Sequence, residues 1–144
     1  MDCRVNMIMV PASNLDSLRD FYEQGLGWNP WGPEMPASIM YKVGSALMVF
    51  LDRNYLASES GIDVAATPRA IYAVFVNDKR SVDEQMARVE KAGGTITSAV
   101  RDRDGGLYSG YFTDPEGNAW EIVWSPVMPV GEDDAITLNI PQES

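Results

Sequence analysis

The stretch Gly110-Tyr111-Phe112-Thr113-Asp114-Pro115-Glu116-Gly117-Asn118-Ala119-Trp120-Glu121-Ile122-Val123-Trp124 decides the fold, because it writes a β-hairpin and sets one carboxylate among apolar neighbours. Asp114-Pro115-Glu116-Gly117 is turn chemistry. The aspartate can bond its own backbone two residues on, the proline presets φ, and the glycine supplies a left-handed residue. Side chains on a strand alternate between faces, so Trp120, Ile122 and Trp124 point one way, and Glu121, Val123 and Ser125 the other. Glu121 is thereby the only ionisable group on its face of that strand.

Outward from the hairpin, composition sets bounds. The chain has 144 residues, enough for one domain with a real core, and its 45% apolar content argues against disorder. A formal charge of −10 tells against a grip on nucleic acid, which is held mainly by Lys and Arg. The same charge suits a cationic small molecule, although Glu132, Asp133, Asp134 and Glu143 concentrate part of it in a C-terminal tail that reads as a solvated extension. Cys3 is the only cysteine, which excludes an intramolecular disulfide and reads as a small buried or edge thiol. The chain has no histidine, and so lacks the commonest general base near neutral pH and the commonest metal ligand. No apolar run is of membrane-spanning length and no signal-peptide pattern is present, so the expectation is a cytoplasmic protein with no membrane partner.

Residues 4–10 read as a strand apolar enough for the middle of a sheet, ended by Pro11. Asn14 then caps a helix with Leu15, Leu18, Phe21, Tyr22 and Leu26 at helical spacing, stopped by Gly25 and Gly27. Residues 28–37 contain three prolines and read as irregular, with Trp31 on a loop or rim. Residues 38–43 and 46–51 form a hairpin around Gly44-Ser45. Residues 53–69 read as a connector with a helical turn near Tyr55. The pattern then restarts, with a buried strand at 70–76 and a helix opened by the capping box Ser81-Val82-Asp83-Glu84 and stopped at Gly93-Gly94. A strand at 95–100 leads to the opening hairpin. The chain is thus two strand-helix-strands modules of about 50 to 55 residues each, a period that marks duplicated modules.

The helix Asn14-Leu15-Asp16-Ser17-Leu18-Arg19-Asp20-Phe21-Tyr22-Glu23 through Leu26-Gly27-Trp28, joined to Tyr108-Ser109 and the Asp-Pro-Glu-Gly-Asn…Trp-Glu hairpin, resembles the vicinal oxygen chelate superfamily over roughly residues 4–126. That group includes glyoxalase I, bleomycin-resistance proteins, fosfomycin-resistance enzymes and extradiol dioxygenases. The resemblance implies an α+β fold of two βαβββ modules forming a curved mixed sheet with a cup-shaped cavity. The implied domain is 1–126, with module one at about 4–52, connector 53–69 and module two 70–126, followed by an acidic tail at 127–144. Family enzymes hold a divalent metal in the cup. Carried over position by position, the last-strand ligand falls on Glu121, and the others fall on or beside Ile71, near Val49 and among Val5 to Met7. Only Glu121 is a good donor, so no metal and no cofactor is expected.

Two readings of Glu121 stand side by side: a base or substrate-orienting group in an apolar cup, or a structural carboxylate bonded to backbone amides or to Arg4. Trp31, Tyr108, Tyr111, Val49 and Ile71 join it as candidate ligand-binding residues, the aromatics by stacking and cation–π contact. Met40, Met48 and Met86 read most simply as core filler. The expectation is a homodimer whose cup binds a small organic molecule, cationic or aromatic, without a tightly held metal. The alternatives are a metal-dependent lyase, isomerase or dioxygenase that uses Glu121, and an association module with a filled cup.

Overall fold

Two units follow one another along the chain, with the boundary between Arg69 and Ala70. The structure, a computed structural model, describes residues 1, 3, 5–65 and 69–137. Arg4 therefore lies outside the described residues, as do residues 138–144 of the tail, including Glu143.

The first unit opens with β1 (Met7–Ala12), followed by α1 (Leu15–Arg19). Asn14 caps α1 as its sequence implies, its Oδ1 accepting the Ser17 amide at 3.1 Å. The helix then widens into a π-helical segment, Asp20–Gly25, in which the Leu26 amide reaches five residues back to the Phe21 carbonyl at 2.9 Å. Gly27, at φ 77°, ends it, and the Trp28 amide closes on the Tyr22 carbonyl at 2.8 Å. This widened turn puts Phe21 and Tyr22 side by side in the core. Tyr22 is fully buried, with ring centroids 4.8 Å from Trp28, 5.2 Å from Phe50 and 5.7 Å from Tyr41.

Two further strands, β2 (Ser38–Val43) and β3 (Ala46–Asp52), complete a sheet in the order β1-β3-β2. They meet at Gly44-Ser45 as expected, with Val43 paired to Ala46 and Gly44 at φ 60°. Residues 28–37 form no strand beyond a Met35–Ser38 bridge, also as expected. β1 differs from the sequence reading: it is an edge strand of its sheet, and Pro11 lies within it opposite Leu51, because an edge tolerates a residue that cannot donate. The helical turn expected near Tyr55 is present and extends to two turns, α2 (Arg53–Ser60), started by Asp52, whose Oδ1 accepts the Asn54 and Tyr55 amides.

The second unit runs β4 (Ile71–Val76), α3 (Lys79–Lys91), β5 (Thr95–Asp102), β6 (Tyr108–Thr113) and β7 (Ala119–Trp124), with sheet order β4-β7-β6-β5. α3 begins earlier than its capping box suggests. Asp78 is the cap and accepts the Ser81 amide at 2.6 Å, so Ser81 lies in the first turn. Val82, Met86 and Val89 are its buried stripe. β4 is also less buried than its apolar sequence suggests, with Ile71 61% and Val74 41% exposed at the edge of the sheet.

The hairpin behaves as its sequence dictates. Asp114 Oδ1 accepts the Glu116 and Asn118 amides, both at 2.9 Å, Oδ2 accepts Asn118 Nδ2 at 2.7 Å, and Gly117 takes φ 82°. Gly110 is required for packing: a Cβ there would stand 2.7 Å from Met86 Cε and 2.9 Å from Val100 Cγ2. The chain after β7 is more than a solvated extension. Asn77 clamps Val130 through both its amide groups, at 2.8 and 3.0 Å, and Val130 bridges to Ile136. Cys3 is exposed rather than buried. No helix among the described residues is long and apolar enough to cross a membrane.

Candidate functional site

Glu121 faces away from α3, as strand alternation requires, and is half-buried. Its cross-strand partners are Ala73 on β4 and Tyr111 on β6, and Ile71 shares this face two residues from Ala73. Ser109, fully buried, donates its hydroxyl to Glu121 Oε2 at 2.9 Å. The Glu121 carboxylate also acts on the Tyr111 hydroxyl, and this interaction, followed by burial and the carboxylate's charge, raises the tyrosine's pKa. The carboxylate is thus bonded to one hydroxyl of β6 and stands across from a second, with alanine on the other side.

Arg103 organises the far side of this cluster. Its guanidinium carbon lies 4.9 Å from the centre of the Tyr111 ring. Nη2 donates to Ser98 Oγ at 2.9 Å and to the Ala99 and Ser109 carbonyls, and Nε donates to Ser109 O at 3.2 Å. A cation so occupied with oxygens is a fixture. It fixes the Ser109 carbonyl and lies over the Tyr111 ring, and so steadies the two residues that stand beside Glu121.

The remaining candidate residues divide. Tyr108 lies on the opposite face of the sheet, where its hydroxyl donates to Asp83 Oδ1 of α3 at 2.7 Å and Lys79 Nζ stands 5.2 Å from its ring centre. The structure therefore does not bring it to Glu121, because Tyr108 and Tyr111 are an odd number of residues apart. Val49 lies in the first unit, buried between Met9 and Met40 in register. Trp31 is half-exposed on its proline-rich loop, where its amide bonds the Met40 carbonyl at 2.8 Å. There it lines a hollow of about 290 Å³ together with Arg19, Glu23, Met35 and Met40. Met48 and Met86 are buried core residues as expected, whereas Met40 lines this hollow.

Sequence reasoning missed Ser109, Arg103 and the Arg19–Glu23 pair. Ser109 was within reach, since it stands two residues before Tyr111 and shares its face. The i,i+4 spacing of Arg19 and Glu23 likewise signals a pair. Arg103 carried no such signal, because it sits past the end of β5 and folds back.

A divalent ion finds a poor donor set in the second unit. Around Glu121 stand two hydroxyls, two apolar side chains and an arginine. No group of three His, Cys, Asp or Glu that could hold a metal occurs among the described residues. Zinc, iron and nickel want three or four well-placed donors, so these residues do not fit such an ion.

Comparison with known proteins agrees with this architecture. The family model for the Glyoxalase/Bleomycin resistance protein/Dioxygenase superfamily matches residues 4–122, and the chain belongs to that superfamily. Among solved structures it is similar to a glyoxalase-related enzyme from Fulvimarina pelagi, with 29% identity and a TM-score of 0.85 over 96% of this chain and 99% of that one. It also resembles lactoylglutathione lyase from Agrobacterium tumefaciens (22% identity, TM-score 0.66, 85% and 94% covered) and TioX from Micromonospora sp. ML1 (18%, 0.61, 83% and 96%). At these identities the last two share the fold alone. No curated protein sequence matches the chain significantly.

Proposed function

We propose that this member of the glyoxalase and bleomycin-resistance superfamily binds a small cationic or aromatic organic molecule, with Glu121 as its polar anchor and without a tightly held metal. One observation carries the reading: a half-buried carboxylate bonded to Ser109 and paired across the strands with Tyr111, beside the apolar Ala73 and Ile71. Apolar walls supply burial, and a single oriented charge supplies selectivity. The Tyr111 ring and the exposed Ile71 side chain form the contact surface next to that charge. Met7, Met9, Ile71 and Val74, all exposed on the edge strands β1 and β4, support association of two copies.

A second reading makes Glu121 a base, favoured by its preset hydrogen bonds and by the likeness to the Fulvimarina protein described as an enzyme. Titration calorimetry of the untagged chain with N-methylquinolinium, repeated on Glu121→Gln, tests the first reading. Saturable binding weakened about tenfold or more by the substitution is expected. Absence of binding, together with stoichiometric uptake of Mn²⁺, Ni²⁺, Zn²⁺ or Fe²⁺ that Glu121→Gln abolishes, would overturn it in favour of metal-dependent chemistry.

A further inference from the structure

The hollow in the first unit, about 290 Å³, uses none of the residues around Glu121. We propose that it is a second binding site, selective for a neutral planar heterocycle with a ring amide, its N–H and C=O side by side. Its polar wall comes from the helix where α1 passes into the π segment. Arg19 Nη1 lies 3.5 Å from Glu23 Oε2, the same oxygen that accepts the Tyr41 hydroxyl at 2.9 Å. Burial, followed by the bond to Glu23, pushes the Tyr41 pKa far above the ordinary tyrosine value, so this hydroxyl remains a donor and fixes the carboxylate.

Those two contacts leave groups to spare. Glu23 Oε1 and Arg19 Nε and Nη2 have no partner among the described residues, while both side chains are largely buried, with 20% and 27% of their surface exposed. The wall therefore offers an acceptor and a donor next to each other. A ring amide meets both at once, its N–H donating to Glu23 and its C=O accepting from Arg19. The same hollow is lined by Trp31, 49% exposed, on a loop anchored by the Trp31 amide to Met40 O. An indole so presented is a stacking platform, and Met35 and Met40 give a polarisable lining.

Charge narrows the ligand further. Glu34 also lines the hollow, so the wall carries two acids and one arginine. A carboxylate or phosphate would be repelled by the acids, and a cation would leave the Arg19 donors unused. A neutral donor–acceptor edge avoids both costs. The volume stands at the small end of ligand pockets and suits one bicyclic ring.

Titration calorimetry of the full chain with quinazolin-4-one tests the proposal, alongside 3-methylquinazolin-4-one, in which the N–H is blocked, and N-methylquinolinium. One-site binding of quinazolin-4-one is expected, weakened about tenfold by the N-methyl group, by Trp31→Ala and by Glu23→Gln, with Trp31→Phe restoring most of it. Glu23→Gln keeps an oxygen for Tyr41, and Trp31 is half-exposed, so both variants should melt as the wild type does. Three results would overturn the proposal: no saturable binding of quinazolin-4-one, equal binding of the methylated compound, or a Trp31-dependent preference for the quinolinium cation. None of them touches the reading of Glu121, which rests on residues of the second unit.

Discussion

The two units share one plan and spend it differently. In the first, the helix widens into a π segment and the chain then runs through three prolines, so the sheet stops at three strands and a loop beside β2 closes a hollow. In the second, a regular 13-residue helix is followed by Thr95–Asp102, which pairs as a fourth strand, and the face away from the helix carries a hydroxyl–carboxylate cluster. The same position in the repeat is thus a strand where the residues can donate to a ladder, and a loop where prolines cannot. Duplication preserved the helix-on-sheet packing and left the edge and the open face free to diverge.

If the first unit depends on its aromatic cluster as the geometry indicates, Tyr22→Ala should have the largest effect, a loss of about 3–5 kcal/mol in chemical denaturation. A loss below about 1 kcal/mol would mean that the rings are loosely packed. Next comes the tight seam of the second unit. Gly110→Ala should cost about 1–3 kcal/mol, and a double-mutant cycle with Met86→Ala should recover part of it, since the flexible Met86 side chain is the nearest obstacle. Additive costs would disprove that contact.

A smaller effect separates the two helix starts. Asp78→Ala should lower the denaturation midpoint at neutral pH more than Ser81→Ala does, because Asp78 is the cap. The bonds to Ser81 hold the Asp78 pKa below the usual carboxylate range. Its stabilisation is therefore present above the unfolded-state pKa and is lost as pH falls through the folded one, so the difference should vanish in strong acid. The smallest signal is spectroscopic. Tyr111, raised by Glu121, should ionise later than an ordinary tyrosine in an ultraviolet titration, and Glu121→Gln should move it back down. Any stability from this interaction is complete below the ordinary tyrosine pKa and disappears as pH rises through the raised value. An unchanged tyrosine titration in the variant would break the link between the two residues.

Much of this was legible in the residues. The Asp114 turn, the Asn14 cap, the Gly44-Ser45 hairpin and the alternation that separates Glu121 from Trp120 and Ile122 all depend on contacts within a few residues, where local chemistry dominates. The differences have two sources. Asp78 displaced a plausible capping box by local chemistry, since it stands three residues before Ser81 and its carboxylate accepts that amide. β4 reads as interior by composition and lies at a sheet edge, since an apolar run carries no information on how many neighbours it has. Tyr108 and Tyr111 both read as aromatic ligand contacts, and strand alternation sends Tyr108 toward α3 and Asp83 instead.

By itself the sequence determined the duplicated strand-helix-strands plan, the hairpin, and the isolation of one carboxylate on its strand face, because each follows from periodicity and turn stereochemistry. Tertiary structure alone decided which groups meet that carboxylate. Ser109 reaches it only through the register of β6 on β7, and Arg103 steadies the pair only by folding back across β5 and β6. The hollow beside Trp31 is likewise a product of packing, since the π turn, the proline loop and β2 have to meet before its walls exist. Register and packing are set by contacts between residues far apart in the chain, and no local pattern encodes them.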